Sequence, residues 1–79
     1  KTIVVFPNPV NEQVVNVLCN FEPESTDKIV IIDNLGLVRG EYAPHSIESK
    51  LHLSLGKGTY LLRYITADDI YTVRFVVSQ

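Results

Sequence analysis

Hydrophobic and polar positions alternate with a period of two along almost the whole chain, the spacing of a β-strand with one buried face. Residues 2–6 form a short β-branched run that Pro7 and Pro9 bring to a stop. Residues 13–21 set Val15, Val17, Cys19 and Phe21 on one face and Asn16 and Asn20 on the other. Residues 23–27 are a polar loop. Residues 28–33 are apolar on both faces, which predicts a central strand. Asn34-Leu35-Gly36 then turns the chain, with Gly36 free to adopt positive φ. Residues 37–42 pair back as a hairpin until Pro44 breaks it. Residues 49–55 turn Leu51, Leu53 and Leu55 inward and Lys50, His52 and Ser54 outward. Gly56-Lys57-Gly58 connects tightly to a β-prone run at 59–66, and Ala67-Asp68-Asp69 turns it. In residues 70–77, Tyr71, Val73, Phe75 and Val77 share one face, with Thr72 and Arg74 on the other.

The pattern predicts an all-β fold: an immunoglobulin-like β-sandwich of about seven short antiparallel strands at 8–12-residue spacing. No helix competes; residues 43–50 hold one helical turn at most. Tyr60 opens the penultimate strand after a glycine-containing connection. In some sandwiches a tyrosine there bonds back to the preceding corner, so a structural role is expected for it.

At 79 residues the chain forms one domain, residues 1–79. A chain of this size buries about 60–65% of its unfolded surface, so stability is marginal. The hydrophobic fraction of 46% is that of a globular protein rather than a disordered one. A net charge of −2 without a basic patch argues against nucleic-acid binding. Cys19 is the only cysteine, so no internal disulfide forms and the core alone holds the fold. The longest apolar runs have four residues, far short of the roughly 20 of a membrane-spanning helix. No membrane insertion is expected. No signal peptide is visible, and the chain opens on Lys1 rather than Met. It is therefore expected to be a piece of a longer secreted protein.

Candidate chemistry is thin. His45 lies in a loop and His52 on an outward face, with no nucleophile and orienting group beside them. Cys19 falls on the apolar face of its strand, where a thiol is inert packing. Glu22, Glu24 and Asp27, and separately Asp68 and Asp69, lack the regular ligand spacing of a calcium loop and read as solvated charge. No zinc pattern or phosphate loop is present. No catalytic residue, metal site or cofactor is expected. Arg39, Arg63 and Arg74 point outward, either as a recognition face for a partner or as charge that discourages edge pairing.

Several short motifs remain, and they occur in a particular order. Val5-Phe6-Pro7-Asn8-Pro9-Val10 closes the first strand, and residues 14–18 form the second. Residues 29–33 end in Asp33, with Gly36 and Val38 following. Gly58-Thr59-Tyr60 opens the penultimate strand, and residues 73–77 close the chain. This ordered set, covering nearly the whole chain, resembles the type IX secretion system C-terminal sorting domain, the Por secretion tail of type A. Where that family often ends on a basic residue after an apolar pair, this chain ends Val76-Val77-Ser78-Gln79.

The resemblance implies a C-terminal sorting signal of Bacteroidetes, fused behind a cargo domain. The cargo crosses the inner membrane on a signal peptide and passes through the periplasm. Type IX translocon components then carry it through the outer membrane to the cell surface or medium. A surface sortase-like peptidase removes the domain, at or before the start of this chain, and joins the cargo to anionic lipopolysaccharide. Pro7, Asn8, Pro9, Asp33, Gly36, Gly58 and Tyr60 are the family-motif residues, with scaffold-building roles. The recognised surface is expected on the final strand, at Tyr71, Val73, Arg74, Phe75, Val76, Val77, Ser78 and Gln79, which could also pair with the edge of a partner's sheet. The competing expectation is an immunoglobulin-like accessory or spacer domain of a surface enzyme or adhesin.

Overall fold

The computed structural model of the chain describes all of residues 1–79. Seven strands form: β1 (Ile3–Phe6), β2 (Val14–Cys19), β3 (Lys28–Asp33), β4 (Val38–Tyr42), β5 (Glu48–His52), β6 (Gly58–Ile65) and β7 (Ile70–Val77). They build two sheets, of order β1-β2-β5 and β4-β3-β6-β7. Every neighbouring pair within them is antiparallel. This is the β-sandwich that the alternating pattern predicts.

The inward residues of the two sheets meet in one apolar layer. Val15, Val17, Cys19 and Leu51 come from the smaller sheet, and Ile29, Ile31, Tyr60, Leu62, Tyr64, Phe75 and Val77 from the larger. Each fully buried aliphatic or aromatic side chain contributes about 1.5–3 kcal/mol. The central strand β3 is covered on both faces. Ile29 and Ile31 are in the core, while Val30 is buried on the outer face, in register between Glu41 and Arg63. The stems of those two long side chains flank it.

Two strands are shorter than the alternation alone predicts. Residue 13 leaves the strand because Gln13 adopts φ 58°, in the left-handed region. At β5 the ladder stops at His52, yet Leu53 and Leu55 stay buried. The Leu53 N–H donates to the Gln13 carbonyl at 2.8 Å, after which the chain crosses to the other sheet. Alternation persists through the crossing because burial, not pairing, sets it.

The sheets are also joined at the β4–β5 side. Tyr42 of β4 donates its hydroxyl to the His52 carbonyl of β5 at 3.1 Å. Its ring lies over Gly40, where a Cβ would stand 3.1 Å from a ring carbon, a contact that would oblige the ring to shift by a few tenths of an ångström. A bulge between Ile31 and Ile32 gives Arg39 no partner in the register.

Phe75→Ala empties the middle of this layer and costs about 3–5 kcal/mol. Set against the roughly 5–15 kcal/mol of a whole domain, that loss moves the midpoint of a denaturant titration to markedly lower concentration. Leu35→Ser, at a side chain 79% exposed, changes stability by less than about 0.5 kcal/mol.

Candidate functional site

The Pro-Asn-Pro segment is built against the last strand. The Phe6–Pro7 and Asn8–Pro9 bonds are both cis, and β1 ends where they begin. Prolines carry no N–H, so Pro7 and Pro9 leave no donor to satisfy. Asn8, between them, uses both ends of its amide. Its Oδ1 accepts from the Val76 N–H at 3.0 Å, and its Nδ2 donates to the Arg74 carbonyl at 3.4 Å. A primary amide offers one donor and one acceptor side by side, as a neighbouring strand would. Val10 continues the pairing. Its N–H donates to the Val76 carbonyl at 2.7 Å, and its carbonyl accepts from the Ser78 N–H at 2.8 Å. Val10 is fully buried and forms a parallel bridge with Val77.

Strand β7 is the edge of its sheet, and this segment occupies the half of that edge nearer its end. Even-numbered residues of β7 point their backbone groups outward, as Arg74, Val76 and Ser78 show. By the same alternation Thr72 presents its N–H and carbonyl there, and Arg74 its N–H. The other half makes no such bonds, although β1 of the smaller sheet packs alongside β7. That half bears a row of unpaired backbone groups of the kind that accepts another strand.

The side chains of β7 divide in the same way. Phe75 and Val77 are 0% exposed, so of the eight residues expected to form a recognised surface these two belong to the core. Tyr71, Val73 and Ser78 are half-buried; Arg74, Val76 and Gln79 are exposed. Strand alternation sends odd positions inward here.

The remaining motif residues gather at the same end of the sandwich. Asp33 pairs with Tyr60 across β3 and β6, and Tyr60 with Phe75 across β6 and β7. Gly58 stands opposite Val77. The Tyr60 hydroxyl donates to the Gly56 carbonyl at 2.7 Å, the corner bond expected of it, and its ring stacks on Phe75 with centroids 5.8 Å apart. Asp33 organises the β3–β4 turn. Its Oδ1 accepts from the Leu35 and Leu37 N–H groups at 2.9 and 3.0 Å, and its carbonyl from the Gly36 N–H at 3.0 Å. Gly36 takes φ +85°, as the turn requires.

The family model for the secretion system C-terminal sorting domain matches residues 4–78. The chain belongs to this family. As a sorting domain it is the C-terminal signal for type IX secretion, a non-catalytic tag that sends its protein to the cell surface or medium. Its fold is similar to part of PorZ, an essential bacterial surface component of the type IX secretion system of human oral-microbiomic Porphyromonas gingivalis. The two share a TM-score of 0.77 at 17% identity, over 98% of this chain and 11% of that one. The sorting domain thus spans about a tenth of that protein. No curated protein matches it.

Three arginines read from sequence as outward-facing separate in the sorting domain. Arg39 turns back to Asp33, its Nη1 3.3 Å from Oδ2, and this is the one ion pair. Arg63 stands opposite Thr72, and Arg74 opposite Leu61, so these two are diagonal neighbours across β6 and β7. Gln13 carries a role that no periodicity signals. Its amide exchanges two hydrogen bonds with the Leu55 main chain, both 2.9 Å, and donates to the Gln79 main-chain oxygen. It ties the crossing after β5 to the segment after β7.

Cys19 is buried, with Sγ 3.2 Å from the Phe21 carbonyl and 3.9 Å from the Tyr64 hydroxyl. Burial, then the neighbouring thiol, raises the Tyr64 hydroxyl above the ordinary tyrosine range. Burial and then Asp69 raise Tyr71 as well. His45 and His52 are both exposed. No group of three or more histidine, cysteine, aspartate or glutamate side chains converges to hold a metal.

Two outcomes follow from these bonds. The Leu37 amide, then the Leu35 amide and Arg39, hold the Asp33 carboxyl below its ordinary value of 3.8, against an opposing effect of burial. A carboxylate lowered in the folded state stabilises it above that value, and the benefit is lost as pH falls through the folded value. Asp33→Asn therefore melts earlier than the parent at neutral pH, and the gap narrows in thermal scans below 3.8. Asn8→Ala costs about 1 kcal/mol. In amide hydrogen exchange it speeds the outward-bonded Val76 amide several-fold more than the inward-bonded Phe75 amide.

Proposed function

We propose that the domain works as a folded epitope read by type IX translocon components along β7, while the cargo rides fused to its N-terminal side. The observation that carries this reading is the double use of β7. Its odd residues anchor it in the core, so the strand is rigid. Its even residues and the unbonded half of its edge face outward on that rigid frame. A partner that adds a strand there gains main-chain hydrogen bonds without ordering a flexible tail. The cargo crosses the periplasm folded or folding, with the sorting domain already formed. A surface sortase-like peptidase then cuts on the N-terminal side of the sandwich. The β1 strand is part of the smaller sheet, so the cut leaves the sandwich intact only if it falls before Ile3.

The test is export. Residues 1–79 are fused behind a reporter with an inner-membrane signal peptide, in a Bacteroidetes host with and without a working translocon. The reporter reaches the surface or medium only in the first. Val76→Glu, at an exposed position, lowers export several-fold while the melting temperature of the isolated domain is kept. A folded reporter held in the periplasm of both strains would replace this reading with that of an accessory or spacer domain.

A further inference from the structure

The outer face of β6 and β7 carries two arginines that the fold does not use. Arg63 and Arg74 are diagonal neighbours, roughly 7–8 Å apart at their stems. Neither forms an ion pair or donates a hydrogen bond; the one ion pair joins Arg39 to Asp33. Asp33, the nearest acid toward the turn, already spends Oδ1 on two amides and Oδ2 on Arg39. Glu41 shares a register row with Arg63 but lies beyond Val30, two strands and about 10 Å away. In a chain of net charge −2, two adjacent unpaired cations are a local excess that repels itself.

The ground between them is apolar and concave. Ile32 and Leu61, half-buried and opposite each other, floor a depression of about 370 Å³ rimmed by Arg63, Arg74 and Thr59. Arg74 forms its β7 side, and on the far edge of that strand the Thr72 backbone groups and the Arg74 N–H have no partner.

We propose that this face takes the acidic side chains of a polypeptide strand that pairs with β7. The identification deepens the reading of β7 as the recognised strand and rests on it. A strand added beside residues 70–74 places alternate side chains on this outer face, about 5 Å from Thr72 and Arg74. A carboxylate at those positions meets the Arg74 guanidinium on the neighbouring strand, with Arg63 adding positive charge one strand further in. Arginine's planar fork matches a carboxylate with two parallel hydrogen bonds. A free or lipid-borne phosphate would satisfy the arginines but would leave the unpaired Thr72 backbone groups and the Arg74 N–H unused. The partner is therefore a strand with aspartate or glutamate at every second position, and the residues between, which turn to the opposite face beside the half-buried Tyr71 and Val73, are aliphatic.

The probe is a capped synthetic strand, Thr-Val-Glu-Val-Glu-Val-Thr, titrated into the labelled domain and followed by amide and arginine side-chain shifts in NMR. The glutamate strand shifts the Thr72 and Arg74 amides, and its affinity falls with added salt. Its glutamine counterpart binds about tenfold more weakly, and Arg63→Gln with Arg74→Gln removes that preference. Equal binding of the two strands overturns the proposal. So does inorganic phosphate that shifts the arginine side chains as strongly as the glutamate strand does. In the export assay, a double variant with unchanged melting temperature exports less than the parent. A parent that exports beside a variant that exports equally sinks the arginine proposal alone. A parent that fails to export sinks the sorting role of β7, while the titration still decides whether the face binds acidic strands.

Discussion

One layer of apolar side chains between two small sheets carries the whole stability of this domain, because 79 residues and a single thiol allow neither a second core nor a disulfide. Strand β7 sits at the edge of the larger sheet and still supplies Phe75 and Val77, both fully buried. The strand that displays the exposed residues is thus also a wall of the core. With β7 as the proposed recognised strand, the signal exists only while the domain is folded.

The same constraint accounts for the positions of the family motifs. Asp33, Tyr60 and Phe75 form one register row, with the β3–β4 turn above Asp33 and the tyrosine corner behind Tyr60. Pro7-Asn8-Pro9 reaches this end from the opposite direction and closes half of the β7 edge. These residues hold the last strand in place rather than offer chemistry of their own. Closing half of the edge also limits unselective pairing, since an exposed row of backbone groups is a template for aggregation. The half without these bonds runs back from Arg74 through Thr72.

Sorting needs a surface that a translocon can grip and no pocket in which a reaction could run. The domain meets that need with a stiff sandwich, exposed alternate residues and a partly unpaired edge. Asp33 is committed to a turn and Tyr64 to the buried Cys19. Asp27, expected from sequence as solvated charge, is instead buried, its Oδ2 accepting from the Glu24 N–H and its Oδ1 without a partner, because the loop folds back over it. The unpaired arginine couple faces outward on the larger sheet.

Period-two alternation in the sequence determined the seven strands, the inward positions of each, the Gly36 turn and the corner role of Tyr60. All of these arise from a residue and its near neighbours, so a linear reading recovers them. Pairing between distant segments leaves no such trace. Nothing periodic marks Asn8 as the partner of Val76, 68 residues on, or Gln13 as the tie between Leu55 and Gln79. Alternation put Phe75 and Val77 on an inward face, but their complete burial depended on the second sheet closing over an edge strand. Arg39 looked like its two fellow arginines until a bulge turned it to Asp33. Which of three outward charges stays free is set by register and by bulges. Both follow from how whole strands pack, and only the tertiary structure decides them.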